Sequence, residues 1–363
     1  MKTFRCACGA RIFFENTSCL TCSRELGFVP AELELVALEP ADGLYRRAEG
    51  GPEDGPLKKC QNNVEHGVCN WMIEAADPAA FCLACRLNNV IPDLSNPESR
   101  ELWGEVERAK RRLVYSLSQL ELPIVPKSED AERGLAFDIK AEDGSERVLT
   151  GHAEGLITLN LAEADAVARE KMRVEMKERY RTLLGHFRHE IGHYYWERLI
   201  QGSPHLDAYR ALFGDERADY GEALQRHYER DSTAGYELEY ISAYASSHPW
   251  EDWAETFAHY LHVLDTLETA QHFGFTTDVP RSASLTGIEN FELLMREWVD
   301  LTVALNALNR SMGLSDPYPF TISDRVREKL EFIHRIVNEP AADTHDAAPS
   351  PEAGAEAATA ATT

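Results

Sequence analysis

Long apolar runs are missing from this chain: no stretch of about eighteen hydrophobic residues occurs, which excludes a membrane-spanning helix. The opening Met1-Lys2-Thr3-Phe4-Arg5-Cys6 lacks the apolar segment and cleavage site of a secretory signal. Together these absences predict a soluble, cytoplasmic protein whose thiols stay reduced, so disulfides are not expected. Basic residues are also scarce, with 37 Lys+Arg against 61 Asp+Glu and a formal net charge of −24. Phosphate binding needs a basic surface, which makes nucleic acid an unlikely partner. Local clusters stand at Arg46, Arg47, Lys58 and Lys59, and at Lys110-Arg111-Arg112, the latter reading as the solvated face of a helix. There is no Gly-rich phosphate loop and no G-x-S-x-G elbow. The stretch from Glu339 to Thr363 has no aromatic, Lys or Arg, and cannot bury enough apolar surface to order itself. Its acids account for −5 of the net charge, so the acidity belongs mainly to the folded part.

What the chain does have is eight cysteines, all before residue 90 and in two quartets. Cys6-x-Cys8 pairs with Cys19-x2-Cys22, and Cys60-x8-Cys69 with Cys82-x2-Cys85. Short knuckles about a dozen residues apart are zinc-ribbon spacing, in which two turns each offer two thiolates. A lone C-x-x-C could be a redox pair, but two complete quartets point to two structural zinc sites. The gap between Cys60 and Cys69 is wide, so His66 is an alternative ligand there. Iron in a rubredoxin-like site would use the same ligands. The first ninety residues are too rich in Cys, Gly and Pro to hold a large core alone, and metal would replace it. Arg47 to Pro56 reads as a flexible connector between the quartets.

The most informative stretch is His189-Glu190-Ile191-Gly192-His193. On a helix, residues four apart share a face, so both imidazoles can reach one metal. Glu190 is then placed to take a proton from a metal-bound water. Leu183, Leu184, Phe187, Ile191 and Tyr194 recur at helical spacing, and no Pro interrupts Arg181 to Leu199. A third ligand is expected in His248-Pro249-Trp250-Glu251-Asp252-Trp253-Ala254-Glu255, where Pro249 is a natural first helical residue. Glu251 is the expected ligand, and Glu255, one turn on, would accept a hydrogen bond from a ligand histidine. Glu255 itself, His259 and His262 are the rival ligands. His186 reads either as a neighbour of the site or as a rim histidine. The acids of Phe213 to Tyr220 read as a helix cap, with contact to a substrate amine as the alternative. Trp196, Trp250 and Trp253 are expected to pack around the site.

The remaining pattern predicts a long helix from Leu94 to Leu122, with Ser95 or Asn96 near its cap and Pro97 at its start. Gly134 to Lys140 and Val148 to Leu161 predict strands of a small sheet, with Asp143-Gly144 as a turn. From Ala162 on the chain reads as nearly all helix: the metal helix, Asp215 to Arg230, the Glu251 helix, Gly287 to Met312, and Ile322 to Val337 capped by Ser323 or Asp324. The expected class is α+β. A small zinc-ribbon module (residues 1–92) precedes a mostly helical domain with a small sheet (93–338) and a disordered acidic, Ala-rich tail (339–363).

Glu251-Asp252-Trp253-Ala254 resembles the second metal motif of the gluzincin metallopeptidases, where Glu supplies the third ligand after H-E-x-x-H. Some gluzincins carry a Tyr seven residues before that Glu, and Tyr244 stands at this spacing. The resemblance implies that its phenol stabilises the oxyanion of a tetrahedral intermediate. Tyr236 and Tyr240 are the alternatives in another register, and plain packing among the three is the other reading. As a whole, the chain resembles the bacterial zinc-binding metallopeptidases that carry an N-terminal zinc ribbon. The resemblance is carried by the first cysteine quartet, Phe81 to Asn88, Gly185 to Trp196, Ser247 to Thr256 and Ala304 to Leu314. It implies a zincin-like fold whose edge strand, expected at Gly155 to Asn160, holds the substrate backbone by strand addition. It also implies one catalytic Zn²⁺ on His189, His193 and Glu251 beside two structural ones, Glu190 as the base, and a peptide or protein as substrate. A non-catalytic, zinc-dependent adaptor whose ribbon recruits a protein partner is the competing class.

Overall fold

A hairpin of β1 (Thr3–Arg5) and β2 (Arg11–Phe13) opens the chain in antiparallel register, with Phe4 opposite Ile12. It leads into a five-stranded antiparallel meander: β3 (Leu26–Val29), β4 (Glu34–Ala41), β5 (Leu44–Arg47), β6 (Leu57–Lys59) and β7 (Met72–Glu74). A bridge between Phe28 and Trp71, with Phe28 N–H donating to the Asn70 carbonyl at 2.8 Å, ties the first strand to the end of the last. The meander therefore curls back on itself around Val29, Leu38, Leu57 and Met72. This is more order than the composition suggested. The stretch expected as a flexible connector between the quartets, Arg47 to Pro56, begins at the last residue of β5 and ends just before β6, and these two strands pair in one sheet. Arg47 is held there by Glu32, Glu74 and the Gly55 carbonyl.

This computed structural model describes residues 2–51, 53–142, 148–176, 178–229, 235–275 and 290–339. The expected Asp143-Gly144 turn, the first residues of the Gly287–Met312 helix and the tail beyond Glu339 lie outside them. A short helix, α1 (Gln61–His66), precedes β7, and β8 (Asn88–Val90) follows the last cysteine. β8 joins β9 (Ala136–Lys140), β10 (Gly151–Ala153) and β11 (Leu156–Asn160) in a second sheet of order β10-β11-β9-β8. β8, β9 and β11 run parallel, and β10 runs antiparallel to β11. The expected edge strand is thus corrected: Leu156–Asn160 is paired on both sides, and the edges among the described residues are β10 and β8.

The helices are α2 (Pro97–Gln119), α3 (Ala166–Glu175), α4 (Leu183–Leu199), α5 (Leu206–Phe213), α6 (Tyr220–Glu229), α7 (Pro249–Phe273), α8 (Phe291–Ser311) and α9 (Asp324–Asn338). Their starts follow capping chemistry. Asn96 accepts from Glu98 N–H, Thr182 from Gly185 N–H, and Ser323 from Val326 N–H. Before α7 it is the His248 ring that accepts from Trp250 N–H, with Pro249 at the first helical position.

α2 is the central strut. On one side Tyr115 meets Phe14 of the hairpin, with ring centroids 5.3 Å apart. On the other, its Tyr115 and Gln119 bond Glu268 of α7, each at 2.7 Å. One continuous core runs from Phe4 and Trp71 through Trp103 and Leu113 to Phe187 and Phe257. Lys110-Arg111-Arg112 is accordingly not a solvated face. Lys110 is fully buried between Glu107 and Asn88, Arg111 donates to the Val68 carbonyl, and Arg112 pairs with Glu15.

The most extensive helix contact is between α4 and α7. α4 is buried without a break from Phe187 to Trp196. At Gly192 the helices touch: a Cβ there would sit 2.9 Å from Ala254 Cα and 3.1 Å from the Ala254 carbonyl oxygen. Trp253 Nε1 donates to the Gly192 carbonyl at 2.9 Å and fixes the pair along their axes. Gly192→Ala is expected to cost about 1–3 kcal/mol, the range for overpacking a core. Urea unfolding would measure it, and an unchanged midpoint would show that the contact can relax.

Candidate metal centre

The α4–α7 contact brings four side chains together. His189 Nε2 lies 3.0 Å from Glu251 Oε2, His193 Nε2 lies 3.4 Å from the same oxygen, and the two nitrogens are 3.2 Å apart. The fourth, Glu255 Oε1, accepts from His189 Nδ1 at 2.7 Å, so the other nitrogen of that ring faces the cluster. These positions follow from register. On α7, Glu251 and Glu255 are one turn apart and meet the two nitrogens of a single imidazole.

Donor spacing tests whether a metal fits. Nitrogen and oxygen ligands at zinc's bond lengths stand ~3.3 Å apart in a tetrahedron, and thiolates stand ~3.8 Å apart. The histidine–glutamate cluster matches the first value. The cysteines match the second: Cys6–Cys22 is 3.6 Å, Cys8–Cys19 is 3.7 Å and Cys69–Cys82 is 3.7 Å. Within each of the three groups, all ligand atoms lie within 4.8 Å of one another. Glu251 Oε2 is buried with only the two imidazole nitrogens beside it among the described residues, a place that a cation would satisfy. Charge points the same way. Burial pushes the Glu251 carboxyl up, but His193 and His189 outweigh it and hold it well below the usual range. Burial disfavours a charged His189, yet Glu251 and Glu255 draw a proton onto it. The site calls for positive charge.

Around this cluster the walls are aromatic. The Trp250 ring stands edge-on to His193 at 4.9 Å, and His152 of β10 lies nearly parallel to it at 6.1 Å. Among the described residues His193 Nδ1 has no hydrogen-bond partner, so ring packing holds this imidazole in place. His152 Nε2 accepts from Gly155 N–H at 3.0 Å, and burial pushes its pKa down to about 3, leaving it neutral. Glu190 is buried on the same helix. Tyr244 begins a short 3-10 turn (Tyr244–Ser246), with its ring 5.9 Å from that of His189.

Tyr220 was missed by the sequence reading, which gave its segment a capping role. Asp219 does cap α6, accepting from Glu222 N–H at 2.8 Å. Tyr220 itself donates to Glu251 Oε1 at 2.6 Å, leaving Oε2 for the cluster. It also hydrogen-bonds Tyr244, and burial followed by the Glu251 charge keeps both phenols protonated. No motif in the sequence marks it, because the contact spans 31 residues and depends on where α6 lands. His152 was missed for the same reason.

The rival ligands are elsewhere. His259 Nδ1 bonds Tyr318 at 2.9 Å, and His262 packs on Trp298 and Tyr318. Tyr240 lies under the Lys329 ammonium and Tyr236 under Arg179. His186 pairs with Glu163 at 2.5 Å, away from the cluster. In the second cysteine quartet His66 is not a ligand; it packs edge-on to Trp103 at 5.5 Å. Of the basic residues near the ribbon, Lys59 pairs with Glu25 and Lys58 donates to the Asp77 carbonyl, while Arg46 is exposed.

Comparison with known proteins agrees with this arrangement. The model of a family described as "Putative zinc-binding metallo-peptidase" matches residues 99–336, and that of a zinc-ribbon domain matches residues 3–96. Uncharacterized proteins of Mycobacterium tuberculosis and Mycobacterium bovis are 42% identical over 349 residues, covering 94% of this chain and 97% of each relative. No solved structure matches. The chain belongs to this zinc-binding metallopeptidase family, with a zinc-ribbon region preceding a mostly helical peptidase-like domain.

Tyr220→Phe removes the only donor to Glu251 Oε1 seen among the described residues. Metal affinity at the histidine cluster is expected to fall about 10–100-fold. Competition with a chelator of known affinity measures this, and unchanged affinity would show that Tyr220 does not position the ligand.

Proposed function

We propose that this chain hydrolyses peptide bonds through a gluzincin-like centre: His189, His193 and Glu251 as zinc ligands, Glu190 as general base, Tyr244 as oxyanion donor, and Glu255 orienting His189. The observation that carries this reading is the convergence of two imidazole nitrogens and one carboxylate oxygen at tetrahedral spacing beside Glu190. A zinc ion bound there supplies a Lewis acid and lowers the pKa of water towards ~7.

The chain's own groups do the rest. Glu190 takes a proton from the attacking water as its oxygen bonds the carbonyl carbon. Tyr244, protonated because it is buried, donates to the carbonyl oxygen as that atom gains charge. When the C–N bond breaks, Glu190 returns the proton to the leaving amine. β10, the edge strand packed against α4, offers its unpaired backbone groups to an extended substrate. We also place the protein in the cytoplasm. No helix among the described residues is long and apolar enough to cross a membrane, and all eight cysteines fall in quartets at metal-ligand spacing.

Elemental analysis under reducing conditions is expected to find three zinc ions per chain, falling to two in His193→Ala. An unchanged count would remove the histidine centre from the reading. Glu190→Gln is expected to keep its zinc while cleavage of a peptide library falls by about 10²–10⁴-fold. Equal cleavage by that variant would show that Glu190 is not the base.

A further inference from the structure

α6 does more than deliver Tyr220 to Glu251. Further along it, Ala223, Arg226 and His227 form one wall of a cleft of about 260 Å³. The other wall is Ser246 and Ser247, from the turn that begins at Tyr244. The cleft and the metal centre therefore draw on the same two elements. The His227 ring lies 6.0 Å from the Tyr244 ring, which lies 5.9 Å from that of His189.

We infer that this cleft is a subsite for a substrate carboxylate, with the Arg226 guanidinium as its cationic contact; the inference rests on the peptidase reading above. In so acidic a chain, cations find carboxylates readily: Arg181, Arg210, Arg217 and Arg310 are all ion-paired. Arg226, like Arg46 and Arg133, has no such partner among the described residues, although Glu222 stands one turn before it on α6, and of these it alone lines the cleft. Across the cleft, Ser247 Oγ is buried with no hydrogen-bond partner among the described residues, while Ser246 Oγ donates to the Ala243 carbonyl at 2.7 Å. A planar fork of N–H donors on one wall and a spare hydroxyl within the other is carboxylate-binding chemistry. The volume is below that of pockets for drug-sized ligands. It suits one acidic side chain or the terminal carboxylate of a peptide.

The test uses full-length, zinc-loaded Glu190→Gln protein, which binds peptides without cutting them. Octapeptide pools are titrated with Glu at each position in turn and an amidated C-terminus. Gln-substituted counterparts are titrated both as amides and as free acids. At least one acidic pool is expected to bind about tenfold or more tightly than the neutral amide, and which one shows whether a side chain or the terminus is read. That advantage disappears in Arg226→Ala and turns into a preference for Lys pools in Arg226→Glu. Equal binding of acidic and neutral pools, or no binding of either, overturns the inference. The two readings fail separately. Acid-selective binding with no cleavage by the wild type would leave the subsite standing and remove the hydrolase. Equal cleavage of acidic and neutral pools, unaltered by Arg226→Ala, would do the reverse.

Discussion

The close approach of α4 and α7 at Gly192 and Ala254 is the constraint on which the centre depends. Two helices this near have little freedom to slide, and the Trp253 indole bonded to the Gly192 carbonyl removes what is left. Ligand spacing is then set by helix geometry. His189 and His193 present one face of α4, Glu251 and Glu255 present one face of α7, and the faces meet in register. A shift of one residue on either helix would rotate its donors by about 100° and separate them. The glycine in the middle of the motif thus matters as much as the residues that carry the chemistry.

Buried charge is the second organising theme. Glu107 has Lys110, Asp252 has Lys329, Asp265 has Arg188 and Glu163 has Arg181. Breaking a buried pair of this kind by removing one partner costs about 3–5 kcal/mol, so each such pair constrains how its elements dock. Glu251 and Glu255 differ from these pairs. Their neighbours are histidines, which carry charge only by taking up a proton, so the permanent cation these two acids lack is one a bound metal would supply.

Much of this was legible beforehand. H-E-x-x-H, Pro249 and the four-residue gap from Glu251 to Glu255 are local signals, and local signals translate directly into helix faces. The cysteine knuckles are equally local, and each quartet comes together as its spacing implied. What could not be read was set at long range. Tyr220 and His152 reach the site because α6 and β10 dock there, and nothing near either residue in the sequence points to a metal. The edge strand was misplaced by one for a related reason: β10 is three residues long, too short to show alternation, whereas Leu156–Asn160 has the apolar run that draws attention. Lys110-Arg111-Arg112 looked like surface because single-sequence reasoning cannot see Glu107, Asn88 and the Val68 carbonyl closing over it.

β8 follows directly on the last cysteine, yet it is laid into the sheet of the peptidase-like domain, and the Asn88 side chain on it bonds Lys110 and Glu107 of α2. The two sequence modules are therefore one physical object, joined by a borrowed strand. Without the first module, β9 would lose its β8 partner and Lys110 would keep Glu107 but lose Asn88. The ribbon region therefore contributes to the peptidase-like domain's own sheet and core as well as carrying its cysteines.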